Sequence, residues 1–210
     1  MAELIRRDDY LQRLIEHKDI DLVKIITGIR RCGKSSLLEL FRRYLKENGV
    51  SEENIIDINF ESLRYRNLTD YLAFYDYVSS KIVDNGKTYL IFDELQQVKH
   101  WEKAIESFRL DFDVDIYITG SNAYLLSTEL STLLSGRYVE IQVLPLSFKE
   151  FLIFHKFSSD ENKYDKFQKY LKFGGMPILC EYKFNEASIN QVIEGIYSTV
   201  ILRDVLQRHG

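Results

Sequence analysis

A chain of 210 residues, 45% hydrophobic and 29% charged, has the length and apolar content of one α/β domain with room for a small helical appendage. Its 28 basic and 32 acidic residues give a net charge of -4, without the basic bias of a dedicated nucleic-acid-binding domain. No apolar run approaches the ~20 residues of a membrane span, and the charged start, residues 1–9, lacks a signal core, so a cytoplasmic location and no membrane partner are expected.

In chain order, Asp8 to Glu16 reads as an amphipathic helix with acids in its first turn, and the apolar run Leu22 to Thr27 as the first strand. Directly behind it stands Gly28-Ile29-Arg30-Arg31-Cys32-Gly33-Lys34-Ser35, a full match to G-x-x-x-x-G-K-[ST]. The glycines let the backbone curl so that N–H groups face a β-phosphate, Lys34 reaches the β/γ oxygens, and Ser35 offers a hydroxyl to Mg²⁺. Ser36 follows at the start of a helix running to Leu45, whose dipole adds to the anion site. Arg30-Arg31 suits nucleotide phosphates, whereas Arg42-Arg43 suits a solvated helix face.

Residues 54–60 alternate like a second strand, and Tyr71 to Ile82 has helical spacing. Thr88-Tyr-Leu-Ile-Phe92-Asp93-Glu94 is a buried strand ending in paired acids. It delivers Asp93 to the carboxyl edge of a parallel sheet, where it can hold Mg²⁺ through water or Ser35, while Glu94 can polarise an attacking water. Asn59, ending the second strand, could hold Glu94 unproductive, or could be a simple strand-ending amide. Trp101 to Phe108 is helical, Val114 to Thr119 is a fourth strand and Arg137 to Val143 a fifth. Such alternation implies a parallel sheet with right-handed crossovers.

The fourth strand ends in Thr119-Gly-Ser121-Asn122, where Ser121 or Asn122 could donate to a γ-phosphate or to the attacking water; a turn chosen for its dihedrals is the alternative. Arg137 could reach a neighbouring subunit's γ-phosphate, or be a surface arginine. The two cysteines, Cys32 and Cys180, suggest neither a zinc site nor a disulfide framework. Within the loop, helix-terminal N–H groups and Lys34 would favour a Cys32 thiolate, against the simpler reading of a small filler with an idle sulfur.

From Pro145 the chain turns helical and aromatic. Ser147-Phe-Lys-Glu150 is a capping box, Tyr164 to Phe173 is a further helix broken by Gly174-Gly-Met-Pro177, and a last helix extends from Ala187 to Gln207. Asn162-Lys-Tyr-Asp165 spells the guanine-reading N-K-x-D motif, but the polar residues before it cannot form the buried strand that motif needs.

The loop, Asp93-Glu-Leu-Gln-Gln-Val-Lys-His-Trp101, Thr119-Gly-Ser-Asn122, Leu134-Ser-Gly-Arg137, Leu144-Pro-Leu-Ser-Phe-Lys-Glu-Phe151 and Gly174-Gly-Met-Pro177 together resemble the prokaryotic AAA-type ATPases that carry a C-terminal domain of unknown function. The resemblance implies an α/β P-loop NTPase fold of AAA+ type, with five parallel strands in 5-1-4-3-2 order, flanked by helices and followed by a helical lid. It implies an ATPase core over residues 1–145, and over 146–210 a lid with the start of a connection to a C-terminal domain that this chain lacks. It assigns Lys34 and Ser35 to phosphate and Mg²⁺, Asp93 to Mg²⁺, Glu94 to water activation, Ser121 or Asn122 to sensing, and Arg137 to a finger role. The expected function is Mg²⁺-dependent ATP hydrolysis that drives or switches an effector module, with a weak homo-oligomer and a DNA or protein partner reached through the missing domain. A slowly hydrolysing signalling switch is the alternative, and a metabolite kinase, for which no acceptor signature is visible, the third class.

Overall fold

The structure is a computed structural model that describes residues 4–120, 134, 136–158 and 160–200, with backbone only at 199 and 200. Five strands, β1 (Val23–Thr27), β2 (Ile55–Asn59), β3 (Thr88–Asp93), β4 (Val114–Thr119) and β5 (Tyr138–Gln142), form one parallel sheet. Their order is β2-β3-β4-β1-β5, which read from the other edge is the 5-1-4-3-2 arrangement that the resemblance implied. Helices α1 (Asp8–Glu16), α2 (Lys34–Glu47), α3 (Tyr71–Ser79) and α4 (Trp101–Asp111) cover it. Where α3 was expected to reach Ile82, the N–H of Ile82 turns back to the carbonyls of Val78 and Ser79.

Every residue of β1 and β3 is buried, as covering both sheet faces requires. Alternation along the strands sorts their side chains. Val23, Ile25, Leu90, Phe92, Ile116 and Ile118 pack with Phe74, Val78, Ile105 and Phe108 of α3 and α4. Ile26, Ile55, Tyr89, Ile91 and Tyr117 pack with Leu14 of α1 and with Leu37, Phe41 and Leu45 of α2. By the same parity Asn59, Asp93 and Thr119, at the strand tips, point to the α2 side at the carboxyl edge. That edge is where α2 begins.

Near the opposite edge a polar network interrupts the core. Lys24, fully buried, donates to Asp115 and to the carbonyl of Ile20 at 2.6 Å. Asp115 also accepts from the Asp19 N–H and the Tyr117 hydroxyl, each at 2.9 Å. The network fixes the turn between α1 and β1, where Asp19 has φ 63°.

Beyond β5 come α5 (Phe148–Phe154), α6 (Lys163–Phe173) and α7 (Glu186–Val200). The Ser147–Glu150 capping box forms in both directions. Asn162 caps α6 by accepting from the Tyr164 N–H at 2.9 Å, so the N-K-x-D tetrapeptide is a helix start, and among the described residues no strand leads directly into it. Phe151, Phe157 and Phe184 surround His155; burial, reinforced by nearby Lys169, pulls its imidazole down to about 4.

The connector from β5 into these helices is gripped from two sides. A Cβ on Gly28 would lie 2.3 Å from the Val143 carbonyl, and one on Gly175 would lie 2.3 Å from that of Leu146, so only glycine permits either approach. Among the described residues no helix is long and apolar enough to cross a membrane.

Candidate nucleotide-binding site

The loop after β1 owes its curl to Gly28 (φ 147°), Arg31 (φ 65°) and Gly33 (φ 102°). Lys34 opens α2 and folds back over the loop, its Nζ donating to the Gly28 carbonyl at 3.0 Å and that of Ile29 at 3.4 Å. An ammonium has three donors, so one remains for an anion. Ser35 and Ser36 lie exposed in the first turn of α2, where helix N–H groups lack intrahelical acceptors.

Across β4 from this loop, the Asp93 carboxylate is held at both oxygens. Asn59 Nδ2 donates to Oδ2 at 2.9 Å, and Thr119 Oγ1 donates to Oδ1. Thr119 Oγ1 also accepts from the Glu94 N–H at 3.0 Å. Because Ile26 pairs with Thr119 in the β1–β4 register, Thr119 links the tip of β3 to the strand that leads into the loop.

The structure corrects the expectation for Asn59. Its amide binds Asp93, since the β2–β3 register sets Asn59 against Asp93, and its Oδ1 accepts from the Glu61 N–H at 2.8 Å. Glu94 turns into the left-handed region (φ 57°) and accepts instead from Gln96 Nε2. Of the two readings of Cys32, the structure supports the small filler with an idle sulfur: burial pushes its thiol up despite Lys34 and Arg7, and the side chain fills space against Gly28. Arg42 is less solvated than expected, bonding Glu39 at 2.9 Å and lying 3.6 Å from Asp57 on β2.

Arg30, half-buried, lies within 3.4 Å of Glu61. Arg137 is exposed at the amino end of β5, where its carbonyl accepts from the Val23 N–H at 3.0 Å. The length of β1, at ~3.3 Å per residue, separates it from its own loop by roughly 13 Å. Ser121 and Asn122 lie outside the described residues.

The sequence does not point to three residues that the structure brings to the site: Thr119 and Gln96, which bond Asp93 and Glu94, and Arg7, which bonds the loop. Strand-end parity could have found Thr119; Arg7 carries no local signal. A cavity of about 450 Å³ opens beside the loop, walled by Leu4 and Arg7, by Ser36 and Leu40 of α2, and by His155 and Pro177 from the helical region. This volume is within the range of small-molecule sites.

The Ser35 hydroxyl and Asp93 carboxylate are hard oxygen donors that fit Mg²⁺, which is commonly bound by one or two carboxylates plus substrate phosphates. Each Asp93 oxygen accepts one hydrogen bond, leaving lone-pair capacity. Among the described residues no group of three or more His, Cys, Asp or Glu could hold a metal.

A family model described as AAA domain matches residues 21–152. An uncharacterized protein of Haemophilus influenzae is 43% identical over 99% of this chain and 52% of its own length. Among solved structures, the Walker-type ATPase PABY2304 of Pyrococcus abyssi has a TM-score of 0.63 at 18% identity, covering 97% of this chain and 76% of that one. AMPPCP-bound DnaA of Aquifex aeolicus has a TM-score of 0.50 at 12% identity, covering 95% of this chain and 61% of that one. At these identities the structural likeness is one of fold. The chain spans about half the length of the curated relatives it matches.

Proposed function

The chain belongs to the AAA domain family, and from that premise we propose that it binds ATP with Mg²⁺ and hydrolyses it between the phosphate loop and the tip of β3. The observation that carries the reading is the Thr119 bridge: it joins the fixed Asp93 carboxylate and the Glu94 backbone to the strand next to the loop.

In this reading the loop N–H groups and Lys34 neutralise the β- and γ-phosphates. Bound between Ser35, Asp93 and the phosphates, Mg²⁺ would supply charge neutralisation at the transferred phosphoryl group. Asn59 and Thr119 hold Asp93 in place without moving during the step, and Glu94 accepts the proton of the attacking water. The base of the nucleotide occupies the cavity between Leu4, Leu40 and His155, whose neutral imidazole presents an uncharged ring there. Preference for ATP over GTP is supported by the placement of Asn162 to Asp165 at a helix cap away from any strand.

Arg137 lies too far from its own loop to act there, which favours a finger role toward a second copy and hence a weak homo-oligomer. The chain's share of its relatives' length supports an effector module beyond it, with a DNA or protein partner.

One observation favours the slower alternative, a switch that retains nucleotide. Glu94 is engaged by Gln96, and turnover requires its release. Calorimetry and phosphate release decide between them: Lys34→Ala is expected to abolish ATP affinity, and Glu94→Gln to keep affinity while blocking hydrolysis. Unaltered turnover in Glu94→Gln overturns its assignment, and wild-type binding without phosphate release establishes the switch.

A further inference from the structure

Arg7 lies just before α1, is 4% exposed, and makes four hydrogen bonds to three separate elements. Its Nη1 donates to the Cys32 carbonyl in the phosphate loop at 3.1 Å and to the Leu144 carbonyl in the connector at 2.9 Å. Its Nε and Nη2 grip Glu150 on α5 at 2.7 and 3.1 Å. The guanidinium stacks 4.4 Å from the Tyr10 ring centroid, and the Tyr10 hydroxyl accepts from the Leu144 N–H at 3.2 Å. Such a planar fork is specific for a carboxylate and resists rotation.

Both ends of this contact bear on function. The Cys32 carbonyl belongs to the same planar peptide as the Gly33 N–H, and the two point in opposite directions. Holding the carbonyl on Arg7 therefore aims the Gly33 N–H away from Arg7. At the other end, Glu150 is the third residue of α5 and closes its capping box, accepting from the Ser147 N–H at 2.8 Å and its hydroxyl at 2.9 Å. A shift of Arg7 moves a loop peptide and a helix start together.

We propose that Arg7 is a positioning residue that ties the phosphate loop to the α5–α7 helices, so that nucleotide held by the loop is felt at α5 through the Arg7–Glu150 pair. Glu150 does not touch the loop; its influence there passes through Arg7. The nucleotide part of this inference rests on the ATP reading above, whereas the mechanical part can be read without ligand.

The test is amide hydrogen exchange on Glu150→Gln, which keeps the volume and one acceptor oxygen for the capping box but removes the charge and turns the other acceptor into a donor facing the guanidinium, with Arg7→Lys as second variant. In nucleotide-free protein, Glu150→Gln should speed exchange of loop residues 28–36 about ten-fold, the scale of losing one charge-assisted pair, while amides of β3 and β4 stay at the wild-type rate. Loop exchange that is unchanged, or that rises only in step with β3 and β4, overturns the coupling. With AMPPCP, wild-type protein should gain protection at both the loop and α5, and Glu150→Gln at the loop only; equal protection of α5 in both also overturns it. In turnover, Glu150→Gln should raise the KM for ATP about ten-fold with kcat within about two-fold, a split that a smaller folded fraction would not produce. No protection anywhere in wild type defeats the ATP reading, and the ligand-free arm then still decides the role of Arg7. If Arg7→Lys does not fold, Glu150→Gln carries the decision.

Discussion

Replacing Thr119 by valine keeps its shape and removes its hydroxyl, which makes it a sharp probe of the site. The hydroxyl serves two partners: it donates to the Asp93 carboxylate and accepts from the Glu94 N–H. Losing a hydrogen bond to a charged group costs about 1.5–3 kcal/mol, and a buried N–H left without an acceptor about 1–3 kcal/mol more. At about 1.4 kcal/mol per factor of ten, the carboxylate contact alone corresponds to a loss of about 10- to 100-fold in kcat. Affinity for nucleotide without Mg²⁺ should change little, because Lys34 and the loop do not contact Thr119 in any hydrogen bond described. Phosphate release with and without Mg²⁺, beside calorimetry with AMPPCP, reads both effects, and Thr119→Ser, which restores the hydroxyl, should recover most of the rate. A Thr119→Val enzyme within about three-fold of wild type in kcat would refute the view that this bridge positions Asp93 and Glu94.

Asp115→Ala strands the fully buried Lys24 and should cost about 3–5 kcal/mol of stability, seen as a lower urea midpoint at unchanged slope; a change under about 1 kcal/mol would mean the pair is dispensable. His155 has a folded value near 4 against 6.5 ordinarily, so between these the unfolded chain binds more protons. Its contribution to stability is complete above 6.5 and declines as pH falls toward 4, and His155→Phe should flatten that acid limb in pH-dependent melts. If Arg137 acts on a second copy, mixing Arg137→Ala with Glu94→Gln subunits should restore hydrolysis, because one interface then combines an intact Glu94 with an intact Arg137. Turnover that stays flat with protein concentration, with no complementation in the mixture, confines Arg137 to a structural role.

What the sequence made legible was what repeats locally. Strand bounds followed from apolar or alternating runs closed by turn residues, so β4 spans the expected Val114–Thr119, and the loop was readable because its glycines, lysine and serine fall within eight consecutive residues. Partnership across the fold was not readable. Arg7 and Glu150 are 143 positions apart, and no spacing rule reaches that far. Asn59 was expected against Glu94, yet a parallel register offers a strand-end side chain its direct neighbour, Asp93, while the left-handed turn swings Glu94 elsewhere. For Cys32 the sequence leaves a thiolate and a small filler both open, and packing decides for the filler because desolvation outweighs the neighbouring charges.

The double glycine grip on the connector has a geometric consequence. With Gly28 pressed on Val143 and Gly175 on Leu146, the connector has no slack in which a displacement at the loop could be absorbed. Any rotation about it would carry the helices beyond β5 as an arm. Helix α7 alone, 15 residues long, measures ~22 Å at 1.5 Å per residue, so a tilt of about 5° would shift its far end relative to its near end by about 2 Å. A movement that is small beside the phosphates becomes, at the tip of that arm, as large as the difference between a made and a broken contact.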